Sequence, residues 1–168
     1  LNPLYEFPWN NKGNALFFLK NYKDAVKCFS KAITLKPDNP NFYINRANAF
    51  FALSEYYSAI FDYSFAISLS PLNTIAWNNR AYTKNFINDY YGALFDSNKA
   101  IQLDFSFFEA YNTRGFTYYN IKLYNLALAD FNKSIFLNSN NPDSYLNRAK
   151  TYIKLNNLTW QKKKFLLN

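Results

Sequence analysis

The chain has 168 residues, of which 49% are apolar and 21% aromatic, and its 19 Lys and Arg against 11 Asp and Glu give a formal net charge of +8. A single cysteine, Cys28, and the lack of any histidine exclude an internal disulfide framework, a zinc site and histidine-dependent catalysis. The lack of a disulfide framework favours an intracellular compartment, cytoplasmic or organellar, over a secreted one. No apolar run reaches the roughly 18 residues that cross a bilayer, so we expect a chain that is soluble or peripheral to membranes.

An internal repeat organises the sequence. The four arginines are each followed by Ala or Gly and lie 34 residues apart, at Arg46, Arg80, Arg114 and Arg148. One period before Arg46 stand Lys12 and Gly13, so the first copy begins near Glu6. We therefore expect one domain, residues 1–168, made of five consecutive copies: 6–39, 40–73, 74–107, 108–141 and a partial 142–168.

Each copy contains the pattern of two amphipathic helices, because its apolar residues recur at spacings of three and four. Pro37 and Pro71 end the second helix of their copies, since proline has no N–H to donate. The shortened fifth copy has Gln161 where the others have alanine, so we expect it to be a polar cap. The predicted helices, in chain order, are 6–19, 22–35, 40–53, 56–69, 74–87, 90–103, 108–121, 124–137, 142–155 and a short or frayed 158–166.

A large aromatic residue precedes a small residue by one helical turn in the first helix of each copy, as Trp9 precedes Gly13 and Tyr43 precedes Ala47. An alanine follows in the second helix, usually with an aromatic residue one turn later. This pattern at a period of 34 residues resembles the tetratricopeptide repeat family across nearly the whole chain. The resemblance implies an all-α fold, a right-handed superhelical solenoid of tandem helix-turn-helix repeats with a concave and a convex side.

The repeated arginine departs from this family, which usually has leucine at that position. A half-buried guanidinium requires an anion, and three copies carry an aspartate 16 residues after the arginine. The spacing leaves open whether each pair forms within a copy or between neighbours. The residues that we expect to form structural ion pairs are Arg46, Arg80, Arg114, Arg148, Asp62, Asp96 and Asp130.

The concave face is where the family usually binds proteins, and asparagine recurs there in this chain. A carboxamide both donates and accepts hydrogen bonds, so a row of them suits the backbone of an extended peptide. Thr113 interrupts the row, and nearby aromatic residues offer apolar pockets. The predicted partner-binding residues of the concave face are Asn10, Asn11, Asn14, Asn45, Asn48, Asn78, Asn79, Tyr82, Asn112, Phe116, Tyr119 and Asn147.

Some members of the family grip the C-terminal carboxylate of heat-shock chaperones with two asparagines and three cationic residues. Asn14 and Asn45 match the two asparagines. The three cationic positions hold Asn10, Ile75 and Asn79 here, so a free carboxylate would have no strong partner. The sequence therefore argues against binding through that carboxylate clamp.

Aromatic residues also recur at outer positions of the second helices, where the first copy has lysines instead. A contiguous aromatic patch often marks an interface, so a second interpretation is a structural subunit that docks to a larger assembly through its convex face. The predicted convex residues are Tyr57, Phe61, Phe65, Tyr91 and Phe95.

A protein-interaction module that binds an extended peptide is the function that the sequence favours. RNA binding is a third interpretation, which the amides rather than cations along the groove disfavour, as does a period shorter than that of RNA-reading pentatricopeptide repeats. No two acidic residues obviously converge as a general acid and base, and no phosphate-binding glycine loop occurs. We therefore expect a non-enzymatic protein with no catalytic residues, no metal and no cofactor.

Overall fold

The computed structural model describes the backbone of residues 6–166 and the side chains of residues 6–156. Within that range the chain is helical, with no strand. The helices are α1 (Glu6–Phe18), α2 (Tyr22–Leu35), α3 (Pro40–Ala52), α4 (Tyr56–Leu69), α5 (Thr74–Phe86), α6 (Tyr90–Leu103), α7 (Phe108–Asn120), α8 (Tyr124–Leu137) and α9 (Pro142–Leu166).

The first helix of each complete copy ends one residue earlier than predicted, because the chain turns left-handed two residues after the helix. In copy 1 the left-handed residue is Lys20, with φ of 61°. The amide of Lys20 donates to the carbonyl of Phe17, and the amide of Asn21 donates to that of Leu16. This is the Schellman arrangement, which usually has glycine at the left-handed position. The equivalent residues of the next copies are Ser54, Asn88 and Lys122.

The starts of α3, α5 and α7 are each tied to the preceding loop by an aromatic side chain. Tyr43 donates its hydroxyl to the carbonyl of Pro37 at 3.0 Å, and the indole N–H of Trp77 donates to the carbonyl of Pro71 at 2.8 Å. These bonds anchor the side chain and satisfy a loop carbonyl at once. Copies 2, 3 and 4 are thereby attached to the loop that leaves the preceding copy.

Small residues allow the two helices of a copy to approach closely. Gly13 and Gly115 face the rings of Phe29 and Phe131, both of which are fully buried. The small residues of the second helices are also completely buried, which lets neighbouring helices pack without a gap. These residues are Ala25, Ala32, Ala59, Ala66, Ala93, Ala100, Ala127 and Ser134.

The helices stack in chain order, each against the one before and the one after. The first helices of neighbouring copies touch as well: α1 contacts α3, α5 contacts α7 and α7 contacts α9. These contacts place the first helices on the inner, concave side of the solenoid and leave the second helices outside.

The fifth copy corrects one prediction. Instead of two helices at 142–155 and 158–166, the backbone forms the single helix α9, so no turn occurs near residue 156. The other copies turn at a left-handed residue whose equivalent here is Asn156. Inside a helix asparagine costs only up to about 0.7 kcal/mol relative to alanine, so it does not by itself force a turn. The predicted cap residue Gln161 lies outside the side chains that the structure describes.

Substitution of Gly115 by alanine should destabilise the fold. The added Cβ would lie 2.7 Å from Cε1 of Phe131, so we expect a loss of about 1–3 kcal/mol in the free energy of unfolding. Urea denaturation measures it. Alanine is the better helix former by about 1 kcal/mol, so a gain in stability would show that the contact with Phe131 is loose. Phe131→Leu in the same chain should relieve part of the loss, because the smaller side chain leaves room for the methyl group.

Candidate functional site

Arg46 joins three helices at the boundary between copies 1 and 2. Its Nε and Nη2 atoms donate to the two carboxylate oxygens of Asp62 on α4, at 2.7 and 2.8 Å. Its Nη1 donates to the hydroxyl of Ser30 on α2, which belongs to the preceding copy. Asp62 is 1% exposed, so its charge is removed from water and depends on the guanidinium. The carboxylate partner thus lies within the copy, and a neutral partner lies in the copy before.

The same arrangement returns in copies 3 and 4. Arg80 donates to both oxygens of Asp96 at 2.8 Å, and Arg114 donates to both oxygens of Asp130 at 2.7 Å. The hydrogen bond to Asp130 is the main reason that the pKa of Arg114 is raised. Asp96 has a second cationic partner, because Lys84 lies 2.8 Å from the same carboxylate.

The two end copies lack the ion pair. In copy 1, Lys12 is exposed and lies over the ring of Trp9, and Cys28 occupies the aspartate position. Burial raises the pKa of the Cys28 thiol. In copy 5, Arg148 donates to Asn132 of the preceding copy at 2.8 Å and lies over the ring of Tyr145, without a carboxylate within 4 Å among the described side chains.

Four of the predicted asparagines form two hydrogen-bonded pairs, and we call each pair a rung of the asparagine row. The amide nitrogen of Asn45 donates to the carbonyl oxygen of Asn10 at 2.9 Å, and that of Asn147 donates to Asn112 at 3.2 Å. Each bond connects the first helices of neighbouring copies. The amides therefore hold neighbouring first helices together, and the sequence pattern alone does not predict this.

The middle of the row is arranged differently. Asn79 donates to Asn48 at 3.3 Å, and Asn48 also accepts from the hydroxyl of Tyr63. Asn78 is only 7% exposed, and its Oδ1 is buried with no hydrogen-bond partner. Unlike the expectation for a groove residue, Asn78 lies too deep to offer its carbonyl to a partner. Its partner in the regular row would be residue 113, where this chain has threonine.

Aromatic rings line the middle of the groove. Tyr82 lies 5.5 Å from the ring of Phe51, 5.2 Å from that of Phe86 and 5.9 Å from that of Phe116, and Tyr56 stacks on Phe86 at 5.2 Å. Tyr82 and Phe86 are 38% and 41% exposed. The rings therefore form a continuous apolar strip that water reaches.

Two cavities of about 300 Å³ each open at the end of this strip. The first lies between α7, α8 and α9, and the second between α5, α7 and α9. Both are lined by Phe116, Asn147 and Lys150. Tyr119 lines the first, and Tyr82 and Asn112 line the second. The groove thus brings together five of the predicted concave residues.

The remaining predicted concave residues lie nearer the start of the chain, where Asn11 is exposed and Asn14 is half-buried.

Two acidic groups, Glu109 and Asp143, lie on first helices of the later copies. Burial raises the pKa of Tyr82, and the negative charge of Asp143 raises it further. Burial also raises the pKa of Glu109, whose Oε2 has no hydrogen-bond partner.

The predicted convex residues are exposed on α4 and α6. The exposed fractions of the side chains are 75% for Tyr57, 68% for Phe61, 40% for Phe65, 91% for Tyr91 and 65% for Phe95. Phe65 rests on Tyr43 and Phe95 on Trp77, so the patch is supported from beneath by aromatic residues of the first helices. Its equivalents on α2 are exposed lysines, among them Lys27, which pairs with Asp24.

The side chains of the preceding copy that accept a hydrogen bond from each arginine were not predicted from the sequence. They lie on the second helix of the preceding copy and can all accept a hydrogen bond: Ser30, Ser64, Asn98 and Asn132. The signal was available, because these residues recur with the same 34-residue period. Lys84 was also missed, since no other copy has a cation there.

Two stretches of the sequence, residues 8–39 and 108–141, match profiles of the family described as tetratricopeptide repeat. Each stretch contains one complete helix pair, and the two copies between them have the same period and the same helix bounds. The chain is a tetratricopeptide repeat protein. Members of this family serve as protein-interaction or scaffold modules, and their fold is typically non-catalytic. Its repeats therefore support a protein-interaction or scaffold role for this chain.

Solved structures share this fold at low sequence identity, which shows the fold alone. Pseudomonas aeruginosa pilF is 21% identical with a TM-score of 0.80, covering 90% of this chain and 69% of that one. MamA from residue 41 to its end, from Desulfovibrio magneticus RS-1, is 13% identical with a TM-score of 0.77, covering 96% and 91%. A crystal structure of MamA is 20% identical with a TM-score of 0.74, covering 82% and 81%.

A curated relative matches over a short stretch. The Protein STIP1 homolog of Dictyostelium discoideum is 51% identical over 37 residues, which cover 22% of this chain and 7% of that protein. The tetratricopeptide repeat chain therefore matches only a small part of that relative's length. None of the helices in the described part of the chain combines the length and the hydropathy that crossing a membrane requires.

Replacing the arginines by methionine should give a graded loss of stability. Arg46→Met leaves Asp62 buried with no cation, so we expect a loss of about 3–5 kcal/mol in urea denaturation. Arg80→Met should cost less, because Lys84 still neutralises Asp96. Arg148→Met is the control, and it should cost about 1 kcal/mol, the value of one hydrogen bond. Equal losses at all three positions would show that the carboxylates do not matter.

Thr113→Asn should stabilise the protein by completing the row. A donor at this position can reach the buried carbonyl of Asn78, as Asn45 reaches Asn10, so we expect a gain of about 0.5–1.5 kcal/mol. Thr113→Val has a similar shape but no donor and serves as the control. A Thr113→Asn protein no more stable than Thr113→Val would contradict this interpretation of the unpartnered oxygen.

Proposed function

We propose that this protein binds an extended segment of a partner protein along its concave groove. The observation that carries the proposal is the pair of cavities beside the exposed aromatic strip, because the inner helices α7 and α9 line both of them and the inner helix α5 also lines the second. A concave, mainly apolar site with a few polar groups is the usual form of a binding pocket.

The asparagine rungs support a backbone-directed contact. When Asn45 donates to Asn10, the carbonyl oxygen of Asn45 and the amide nitrogen of Asn10 both keep capacity for a further bond. The same holds for Asn147 and Asn112. Each rung therefore has one acceptor and one donor to offer, which match the N–H and C=O of a peptide unit. Such contacts tolerate many side chains, so the partner's sequence would be selected elsewhere in the groove.

The aromatic strip supports that selection. Tyr82 and Phe86 expose ring surface without leaving the cluster that holds them, so they bind with little loss of side-chain freedom. Burying that surface beneath an apolar side chain stabilises a complex by roughly 25 cal/mol per Å² of area removed from water.

A second candidate is a structural subunit that docks through the convex aromatic patch of α4 and α6. The observation in its favour is the exposure of Tyr91, Tyr57, Phe61 and Phe95, whose rings lie mostly in water. Clusters of this size on a soluble protein often mark an interface. The two candidates use opposite faces, so paired variants separate them.

The groove variant combines Tyr82→Ala with Leu146→Ala, two exposed residues of the second cavity. The convex variant combines Phe61→Ser with Phe95→Ser. The partner is first isolated from native extract with the parent protein, and its affinity is then measured by calorimetry. We expect the groove variant to bind about tenfold or more weakly, since central aromatic contacts usually dominate binding, and the convex variant to bind like the parent.

Circular dichroism and urea denaturation establish that both variants are folded. The opposite result, a loss of binding in the convex variant alone, would assign the partner to the convex face and make the protein an assembly subunit. A partner that binds both variants like the parent would exclude both surfaces.

A further inference from the structure

Charge is distributed unevenly along the groove. In copies 1 to 3 the groove-facing positions of the first helices hold amides, aromatic and aliphatic residues, with no charged side chain. Charges appear in the last two copies, with Glu109 on α7 and with Asp143, Lys150 and Lys154 on α9. The end of the groove can therefore form ion pairs with a partner, whereas the beginning cannot.

Lys150 lies where the two cavities meet, since it lines both. Its side chain is exposed and has no acidic partner within 4 Å among the described side chains. Lys84 on α5, by contrast, is paired with the buried carboxylate of Asp96. Lys150 is thus a free cation at the mouth of an apolar cavity.

The walls of the first cavity are apolar. Phe131, which is fully buried, and the rings of Phe116 and Tyr119 surround it, and the amide of Asn147 lies at its edge. A volume of about 300 Å³ is at the small end for ligand sites, which suits one bulky side chain rather than a large cofactor. The second cavity is bounded on its far side by Asp143, whose charge acts on Tyr82. An acidic group entering the groove is therefore repelled near Asp143 and attracted near Lys150.

We propose that this end of the groove selects a peptide segment in which a bulky apolar side chain stands beside a carboxylate, with Lys150 pairing with the carboxylate and the first cavity holding the apolar side chain. The inference rests on the proposed function, that the concave groove binds an extended segment. It differs from a clamp on a terminal carboxylate, because the acid here is a side chain within the segment.

The test selects peptides from a library of random linear sequences displayed between two carrier domains, so that no free terminal carboxylate is present. The bait is the full chain. We expect the recovered peptides to carry Asp or Glu next to Phe, Tyr, Trp or Leu. Peptides that lose binding to the Tyr82→Ala, Leu146→Ala variant are then synthesised with blocked ends, and their affinities are measured by fluorescence anisotropy.

Lys150→Gln should weaken binding of these peptides about tenfold, as expected for the loss of one charge-assisted hydrogen bond. Changing the peptide's acid to its amide should cost the same in the parent and nothing more in Lys150→Gln. Lys154→Gln is the matched control, because Lys154 lies one turn further along α9 and lines neither cavity, so its peptide affinity should equal that of the parent.

Groove-dependent peptides without an acid preference, or with equal affinity for the parent and Lys150→Gln, would overturn this inference and leave the proposed function standing. Recovery of no peptide that depends on Tyr82 and Leu146 would overturn both. A preference for acidic peptides that persists in Lys150→Gln but disappears in Lys154→Gln would show that Lys154 pairs with the carboxylate, and it would also overturn the inference.

Discussion

The guanidinium of Arg46 donates to both oxygens of Asp62 in its own copy and to Ser30 in the copy before it. Arg80 and Arg114 repeat the arrangement in copies 3 and 4. Because Asp62 is almost completely buried, the pair requires α3 and α4 to close around it. The third bond then sets the position of α2 against that pair. Hydrophobic packing is less directional than a guanidinium with three hydrogen bonds, which permits few relative arrangements of the three helices. We regard this constraint as the reason that the first helices stay close enough to form one groove.

The two faces of the solenoid follow from that geometry. On the inner side, amides tie successive first helices together, and aromatic rings fill the space where the asparagine row is interrupted. On the outer side, the second helices diverge and leave Phe61 and Phe95 largely in water. An inner surface that is polar at its edges and apolar at its centre is suited to a chain without secondary structure, since backbone and side chains find different partners along it.

Most of the fold could be predicted from the period and the apolar spacing, because every helix pair repeats the same pattern. The ends of the first helices could not be predicted, because Lys20 and Ser54 adopt a left-handed conformation that is uncommon for lysine and serine. The single helix α9 was not predicted either, because asparagine, the residue at position 156, occurs both at left-handed turns and inside helices. In the groove, the sequence indicated which face carries asparagines but not that they bond to one another, because an amide satisfies a neighbouring amide as readily as a peptide.

Both faces carry exposed aromatic residues, so one footprinting experiment compares them directly. Hydroxyl radicals oxidise exposed rings, and mass spectrometry measures the oxidation of each residue in the free protein and in its complex with the isolated partner. We predict protection of Tyr82 and Phe86 in the groove and unchanged oxidation of Tyr91 and Phe61 on the convex face. Protection of Tyr91 and Phe61 with Tyr82 still oxidised would contradict it.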